Sequence, residues 1–215
     1  MIASSSNFRE INMGEIAPGV LYRSNHPIYS GNQVKEIILS VTNAKIKTVI
    51  NLSDSIQLLK SKVLCCPWYK KMLEGGNVIA LNISMRFDIM EKDFIKKIKQ
   101  GVKFMIEREP PYLIHCEAGM DRTGMLAILL ESFMGANFDD MAKDYMLSFV
   151  DESEYSKNDY RNGAMYALNL FSQINGALIN PGDDLRRLSS KYLIEKIGLD
   201  DNELAALKNK LKSGQ

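Results

Sequence analysis

The sequence predicts an α/β sandwich in which helices cover both faces of a central sheet of four or five strands. Short β-branched apolar runs alternate with longer segments whose apolar residues recur at helical spacing. Hydrophobic residues make up 46% of the chain and charged residues 25%, which is ordinary for a globular protein. The length of 215 residues suits one domain with a large core, and we expect residues 1–215 to form it.

The N-terminal part of the chain contains a tail, a strand and a helix. Residues 1–7 are polar and terminal, so we expect a loose tail there. Residues 20–22 form a short apolar run that predicts the first strand. Asn32 is placed to cap a helix whose apolar residues share one face, Val34, Ile37, Ile38 and Val41.

Three further runs predict buried strands. Residues 46–52 and 78–83 are apolar and β-branched, and residues 112–114 form a third run after two prolines. The segment 55–76 has no clear period and stays unassigned. The helix that precedes the third run has a regular apolar stripe, Ile95, Ile98, Val102 and Met105.

Helices dominate the C-terminal half. A strongly apolar helix around residues 126–134 ends at Gly135, and Asn137 with Asp140 can cap the next one. Residues 151–162 are polar and charged, which indicates a surface connection or a mobile lid. We expect closing helices within 184–212 to pack on the domain, the last one opened by a capping box of Asp200 and Glu203.

The central motif follows the strand at residues 112–114 and reads His115-Cys116-Glu117-Ala118-Gly119-Met120-Asp121-Arg122-Thr123-Gly124. Its layout is strand, tight loop and helix. Such loops present backbone N–H groups to an anion at a helix N-terminus. A cysteine at the start and an arginine six residues later make it a phosphate-binding loop with a nucleophile.

Each residue type in the motif suits a chemical task. Helix N-termini and nearby cations stabilise a thiolate, and Cys116 has both from the following helix and Arg122. The planar guanidinium of Arg122 matches two phosphate oxygens. Thr123 can donate its hydroxyl to the departing sulfur, and His115 is expected to hydrogen-bond backbone near the loop. We expect the substrate phosphate to be bound by His115, Glu117, Ala118, Gly119, Met120, Asp121 and Arg122.

At these residues the chain resembles the cysteine-dependent protein tyrosine phosphatase superfamily, whose signature is His-Cys, five residues, Arg, then Ser or Thr. The Ala-Gly-x-Asp-Arg-Thr-Gly form is similar to the bacterial tyrosine/serine phosphatase group. Other similar segments are Phe8-Arg9-Glu10, Tyr22-Arg23-Ser24, Asp144-Tyr145-Met146-Leu147-Ser148 and the closing helices from Tyr192 to Leu211. The resemblance implies the phosphatase type of α/β sandwich, a phosphocysteine intermediate, and no metal or other cofactor. Ser53 departs from the group, in which many members have Arg.

Phosphoryl transfer to a thiolate also needs a general acid. The superfamily usually supplies an Asp some thirty residues before the Cys, and Asp88 lies 28 residues before Cys116 on a predicted loop. Its alternative role is the N-cap of the next helix. Asp121 is the second candidate, by resemblance to the myotubularin-like branch, and its alternative role is an acceptor that steadies the loop. Asp93 is a weaker third candidate.

The loop composition bears on the substrate. Relatives that act on inositol lipids tend to have Lys inside the loop, where this chain has Met120, and Glu117 adds negative charge. Phytase-like relatives can also have a Glu after the Cys, so Glu117 does not exclude inositol phosphates as substrates. Arg23, Arg86 and Lys92 are candidates for extra positive charge, and Arg23, at a strand end, is the best of them. We expect a protein tyrosine phosphatase, alone or with dual specificity; the alternatives are an inositol phosphate or phosphoinositide phosphatase and a non-catalytic phospho-binding pseudophosphatase.

Charge and cysteine content address partners and compartment. A net charge of +1 gives no support to nucleic-acid binding, and no apolar run is long enough for membrane insertion. Cys65, Cys66 and Cys116 do not form a disulfide framework. We expect a cytoplasmic protein. An exported protein whose signal has been removed from this sequence stays open as an alternative. Cys65 and Cys66 are either resolving thiols or small hydrophobic residues, and the oligomeric state stays open.

Overall fold

The structure is a computed structural model that describes residues 6–149 and 154–213. Within these residues, five strands form one sheet in the order β1-β2-β5-β3-β4. The strands are β1 (Arg9–Ile11), β2 (Leu21–Ser24), β3 (Thr48–Asn51), β4 (Val78–Ala80) and β5 (Tyr112–His115). β1 is antiparallel to β2, and the other pairs are parallel. The predicted mixed α/β architecture with a sheet of four or five strands is therefore confirmed.

The register brings three strand ends together. His115 at the end of β5 pairs with Ser24 of β2 on one side and with Asn51 of β3 on the other. Because these strands are parallel, their carboxyl ends meet at one edge of the sheet. Open α/β sheets bind ligands at this edge, and here it receives the loop that follows β5.

Alternate residues of the central strands face two separate cores. Val49 and Leu113 face a smaller core, whereas Ile50 and Ile114 face a larger one. The smaller core is covered by α1 (Val34–Asn43), α2 (Ile56–Lys62) and α3 (Pro67–Glu74). The larger core is covered by α4 (Lys92–Glu107), α5 (Asp121–Phe133), α6 (Phe138–Met146), α7 (Lys157–Asn175), α8 (Leu185–Glu195) and α9 (Asp201–Lys212).

Several local signals predicted the helix ends. The side chain of Asn137 accepts a hydrogen bond from the Asp140 amide, and Asp200 with Glu203 forms the predicted capping box. Gly135, with a φ of 79°, follows the end of α5. Asn32 is not a cap, because a 3-10 turn at Gly31–Gln33 leads directly into α1.

Two predicted irregular segments are ordered in part. Residues 157–162 belong to α7, which starts after a capping box made by Ser156 and Asp159. Within the segment 151–162, for which a lid stayed open, residues 151–153 lie outside the described residues. The unassigned segment 55–76 contains α2, a 3-10 turn at Val63–Cys65 and α3.

The N-terminal segment differs from expectation. Ser6 and Asn7 are buried, and the carbonyl of Ser6 accepts a hydrogen bond from the Asn25 amide over 3.0 Å. A loose tail over residues 1–7 is therefore wrong for these two, and residues 1–5 lie outside the described part. Over the described ranges, none of the helices has the length and apolar composition to cross a bilayer.

Candidate active site

The loop between β5 and α5, which we call the Cys-Arg loop (residues 116–122), lies at the sheet edge where β2, β3 and β5 end. Cys116 and Arg122 are buried, whereas Glu117 and Ala118 are exposed. The backbone N–H groups of residues 117–120 donate no hydrogen bond to any described residue. They precede the N-terminus of a 13-residue helix, so the loop combines free donors with the positive end of a helix dipole.

Arg122 and Thr123 supply two further free donors. Arg122 donates from Nη1 to the carbonyl oxygen of Ile83 over 2.9 Å, which orients the guanidinium. Its Nε atom is buried and, like the buried hydroxyl of Thr123, has no hydrogen-bond partner among the described residues. Buried unpaired donors need an explanation, and a bound anion beside Cys116 provides one.

His115 contacts the loop as expected of a framing residue. Its Nδ1 lies 3.1 Å from the carbonyl oxygen of Cys116, and its Nε2 lies 2.8 Å from the hydroxyl of Tyr69. A carbonyl oxygen can only accept, so Nδ1 carries the hydrogen and Nε2 accepts from Tyr69. Burial, and after it the neighbouring His26, lowers the pKa of His115 well below its ordinary range, so the ring is neutral.

A buried polar network extends from Tyr69 along the edge of the sheet. Tyr69 accepts from Asn51 over 3.1 Å, and Asn51 and His26 both donate to Asp54, over 3.0 and 2.7 Å. The amide of His26 in turn donates to the Glu117 carbonyl over 3.0 Å. Burial alone would raise the pKa of Asp54, but the bonds from His26 and Asn51 outweigh it and lower that pKa. The network therefore reaches the Cys-Arg loop through two different atoms.

Arg23 lies behind the loop, fully buried. It pairs with Asp144, and its Nη2 donates to the Gly119 carbonyl over 2.9 Å and to the Ser148 hydroxyl over 2.8 Å. Arg23 therefore holds the back of the loop and adds no charge at an open surface, contrary to the sequence-based expectation. Arg86 and Lys92, the other candidates for extra charge, are exposed.

Three of the four segments that resemble known phosphatases meet in one cluster around Arg23. Arg9 donates to Asp144 over 2.8 Å and to the Ser148 hydroxyl over 3.0 Å. Burial alone would raise the pKa of Asp144, but Arg23 and Arg9 outweigh it and lower that pKa. Burial first, and the charge of Asp144 second, raise the pKa of Glu131 well above its ordinary range, so Glu131 keeps its proton.

The two candidate acids occupy different surroundings. Asp88 is exposed on the loop between β4 and α4, where its carboxylate accepts from the Met90 amide over 2.8 Å. The N-cap of α4 is Glu91, so Asp88 does not have that alternative role. Among the described residues, no hydrogen bond or ion pair joins Asp88 to the Cys-Arg loop. However, Ile83, whose carbonyl oxygen Arg122 contacts, lies in the same loop, five residues before Asp88.

Asp121 is part of the Cys-Arg loop and is the first residue of α5. Tyr145 of α6 donates to its carboxylate over 3.5 Å, and Tyr166 of α7 donates to its carbonyl over 3.3 Å. The two tyrosine rings stack with centroids 3.8 Å apart. Asp93, the third candidate, pairs with Lys97 on the surface of α4 over 2.6 Å.

Sequence reasoning missed Asn7, His26, Asn51 and Tyr166 as residues around the loop. It gave Tyr145 only as part of a segment of resemblance, and it left open whether Tyr69 flanks the cleft or packs in the core. His26 and Asn51 are polar residues at or just after the ends of predicted strands, where ligand sites form. Asn7 and Tyr166 show no local sign of a role.

Residues 2–213 match the tyrosine phosphatase family, and the chain therefore belongs to that family. Among known proteins, it is similar to the dual specificity protein phosphatase OPG106 of vaccinia virus, strains Western Reserve and Copenhagen. This chain is 22% identical to the viral protein of each strain over 183 residues, which are 84% of this chain and 86% of the viral protein. Among solved structures, it is similar to the core catalytic domain of the PP-IP phosphatase SIW14 from S. cerevisiae in complex with citrate. That similarity has a TM-score of 0.45 and 18% identity, over 80% of this chain and 94% of that one.

Proposed function

We propose that this protein hydrolyses phosphomonoesters through a phosphocysteine intermediate on Cys116, with phosphotyrosine proteins as the main substrates. The observation that carries the proposal is the set of unpaired donors in and directly after the Cys-Arg loop: the buried Arg122 Nε and Thr123 hydroxyl, with the free N–H groups of residues 117–120. A phosphoryl group has three terminal oxygens that such donors can bind, and their charge spreads in the transition state.

The proposed reaction has two steps. The Cys116 thiolate attacks phosphorus, the bond to the leaving oxygen breaks, and a general acid protonates that oxygen. Water then attacks the phosphocysteine, the sulfur leaves as thiolate, and inorganic phosphate is released. Arg122 and the loop amides bind the phosphoryl oxygens, and the Thr123 hydroxyl donates to the sulfur as it leaves.

The acid is Asp88 or Asp121. Position within the Cys-Arg loop favours Asp121, whereas the contact of Arg122 with Ile83, which lies in the same loop as Asp88, supports Asp88. Asp88→Asn and Asp121→Asn should be compared on an aryl and an alkyl phosphate. Loss of the acid slows the alkyl ester more, because its leaving oxygen is more basic. If neither variant loses rate preferentially on the alkyl ester, both assignments are wrong.

A protein substrate is supported by the outer surface of the loop. Glu117 is exposed and negative, and Met120 stands where a lysine would serve a polyanionic inositol ring. Similarity to a dual specificity protein phosphatase supports activity on phosphoserine or phosphothreonine as well. The described cysteines Cys65, Cys66 and Cys116 are free thiols, which suits the reducing cytoplasm that we propose as its compartment.

Turnover of para-nitrophenyl phosphate tests the enzyme proposal. Wild type should hydrolyse it, Cys116→Ser should abolish hydrolysis, and Cys65→Ser, at an exposed thiol, is the matched control that should retain it. A pure wild-type protein that binds phosphate without turnover would instead support the pseudophosphatase. A panel of phosphotyrosine peptide, phosphoserine peptide and inositol hexakisphosphate then separates substrate classes, and preference for the inositol phosphate would overturn the protein-substrate proposal.

A further inference from the structure

Every carbonyl oxygen from Cys116 to Met120 accepts a hydrogen bond. All five donors lie outside the Cys-Arg loop: three are side chains and two are backbone amides. In loop order, the carbonyl of Cys116 accepts from His115 Nδ1 (3.1 Å) and that of Glu117 from the His26 amide (3.0 Å). The carbonyl of Ala118 accepts from Asn7 Nδ2 (3.1 Å) and that of Gly119 from Arg23 Nη2 (2.9 Å). The carbonyl of Met120 accepts from the Gly124 amide (2.6 Å).

The direction of these carbonyls determines the direction of the amides. A trans peptide unit is planar and has its N–H opposite its C=O. A carbonyl held by a donor behind the loop therefore turns the next N–H to the opposite side. This accounts for the free N–H groups of residues 117–120, because each follows a carbonyl that a donor outside the loop holds. Successive free N–H groups of this kind form anion-binding nests.

We propose that Asn7 and Arg23 are positioning residues for the reaction: by holding the Ala118 and Gly119 carbonyls, they direct the loop amides at the substrate phosphoryl group. This inference rests on the proposed function. Neither residue contacts substrate; each acts through the loop. Their removal weakens oxyanion binding and thiolate stabilisation together, because both depend on the same amides.

Asn7 suits this role by its conformation. It is buried, and its φ of 49° lies in the left-handed region, which Asn adopts more readily than most residues. Besides Ala118, its Nδ2 reaches Asn25 Oδ1 over 2.9 Å and the Ser148 carbonyl over 3.3 Å. The amide thus ties the loop to the end of β2 and to the turn after α6.

Arg23 is held in place from the other side. Asp144 and Ser148 bind its Nη atoms, so the guanidinium bridges the segment at the end of α6 and the loop. The loop also lies unusually close to the end of β2: a Cβ atom at Gly119 would be 2.4 Å from the Ser24 carbonyl oxygen. The lack of a side chain at Gly119 lets its carbonyl come within reach of Arg23.

Two substitutions remove the bonds to the loop, together with bonds that the same side chains make to Asn25, Ser148 or Asp144. Asn7→Gly keeps the left-handed backbone and deletes the amide, and Arg23→Lys keeps the charge beside Asp144 but loses the planar fork. Arg9→Lys is the comparator, because Arg9 also binds Asp144 and Ser148 and its remaining bond goes to the Asn7 carbonyl.

The readouts are inhibition of para-nitrophenyl phosphate turnover by inorganic phosphate, the pH midpoint of Cys116 alkylation by iodoacetamide, and the thermal midpoint. For Asn7→Gly and Arg23→Lys, we expect roughly tenfold weaker phosphate inhibition, about the value of one hydrogen bond to a charged group, and a higher alkylation midpoint. For Arg9→Lys, we expect phosphate inhibition to weaken less than about twofold and the alkylation midpoint to change correspondingly little. Its loss of thermal midpoint should be similar to that of the other two variants.

Equal effects in all three variants, or unchanged phosphate inhibition and alkylation in Asn7→Gly, overturn the inference. If Arg23→Lys shows no cooperative unfolding transition, Asn7→Gly alone decides it. Failure of the proposed function has a different signature: wild type itself neither hydrolyses para-nitrophenyl phosphate nor binds inorganic phosphate.

Discussion

Arg122 donates a hydrogen bond from Nη1 to the carbonyl oxygen of Ile83, over 2.9 Å, while its buried Nε has no partner among the described residues. The bond joins the Cys-Arg loop to the segment that leads to Asp88. It also fixes the plane of the guanidinium before any phosphate binds. Such preorganisation spares reorganisation during the reaction and is a large source of catalysis.

The first prediction concerns this fork. Arg122→Lys should lower kcat/KM for para-nitrophenyl phosphate by about 10²- to 10³-fold, because a lysine ammonium cannot both hold the Ile83 carbonyl and bind two phosphoryl oxygens. Steady-state kinetics measures the effect. Arg108→Lys is the control: Arg108 also donates to a main-chain carbonyl, that of Gly76, but on an exposed surface. An Arg122→Lys enzyme within tenfold of wild type contradicts the assignment.

The second prediction concerns the network behind His115. Tyr69→Phe should lower the free energy of unfolding by about 1–3 kcal/mol, because the buried His115 Nε2 loses its donor and Asn51 loses an acceptor. Urea denaturation at pH 7 measures it. Tyr160→Phe removes a surface bond to Asp139 and should change stability by about 0.5 kcal/mol or less. Equal effects of the two substitutions would show that the buried network adds no stability.

The third prediction concerns the pH dependence of stability. The raised pKa of Glu131 means that the native state keeps a proton that the unfolded chain releases above about 4.5. The stability that Glu131 contributes is therefore complete below that pH and is lost as pH rises. Glu131→Gln removes this loss, so its stability relative to wild type should grow with pH, by at most about 1.4 kcal/mol per pH unit.

Urea denaturation of Glu131→Gln and wild type between pH 5 and 8 measures that difference. The lowered pKa of His115 acts in the opposite direction, because the unfolded chain binds its proton first as pH falls below about 6.5. His115 is present in both proteins and cancels. A difference that does not change with pH would mean that Glu131 is ionised in the native state, balanced by Arg9 and Arg23.

The fourth prediction concerns Gly119. Its φ is 69° and an added Cβ would lie 2.4 Å from the Ser24 carbonyl oxygen, so Gly119→Ala must displace the loop. We expect loss of phosphate inhibition and a destabilisation of about 1–3 kcal/mol. Inhibition kinetics and thermal unfolding measure the two effects. Gly182→Ala is the control, since nothing lies within 4 Å of the added atom and no positive φ restricts it. Normal phosphate inhibition in Gly119→Ala would argue against the observed loop conformation.

Local signals predicted much of the fold and the centre of the site. The buried strands have short apolar runs, and the caps at Asn137 and Asp200 depend on residues three positions apart. The Cys-Arg loop is one continuous segment between a strand and a helix, so its motif is complete in the sequence. The structure of segment 55–76 was not predicted, because its short helices have no long apolar period. The surrounding core stabilises them instead.

By itself, the sequence determined the Cys-Arg loop, the family and the alternation of strands and helices, because each depends on neighbours along the chain. Only the tertiary structure decided what holds the loop. Arg23 and Asp144 are 121 residues apart, and Asn7 and Ala118 are 111 apart. Strand register and helix packing bring such groups together, and both depend on contacts between distant segments of the chain. This is why Arg23 lies buried behind the loop and Asn7 contacts it.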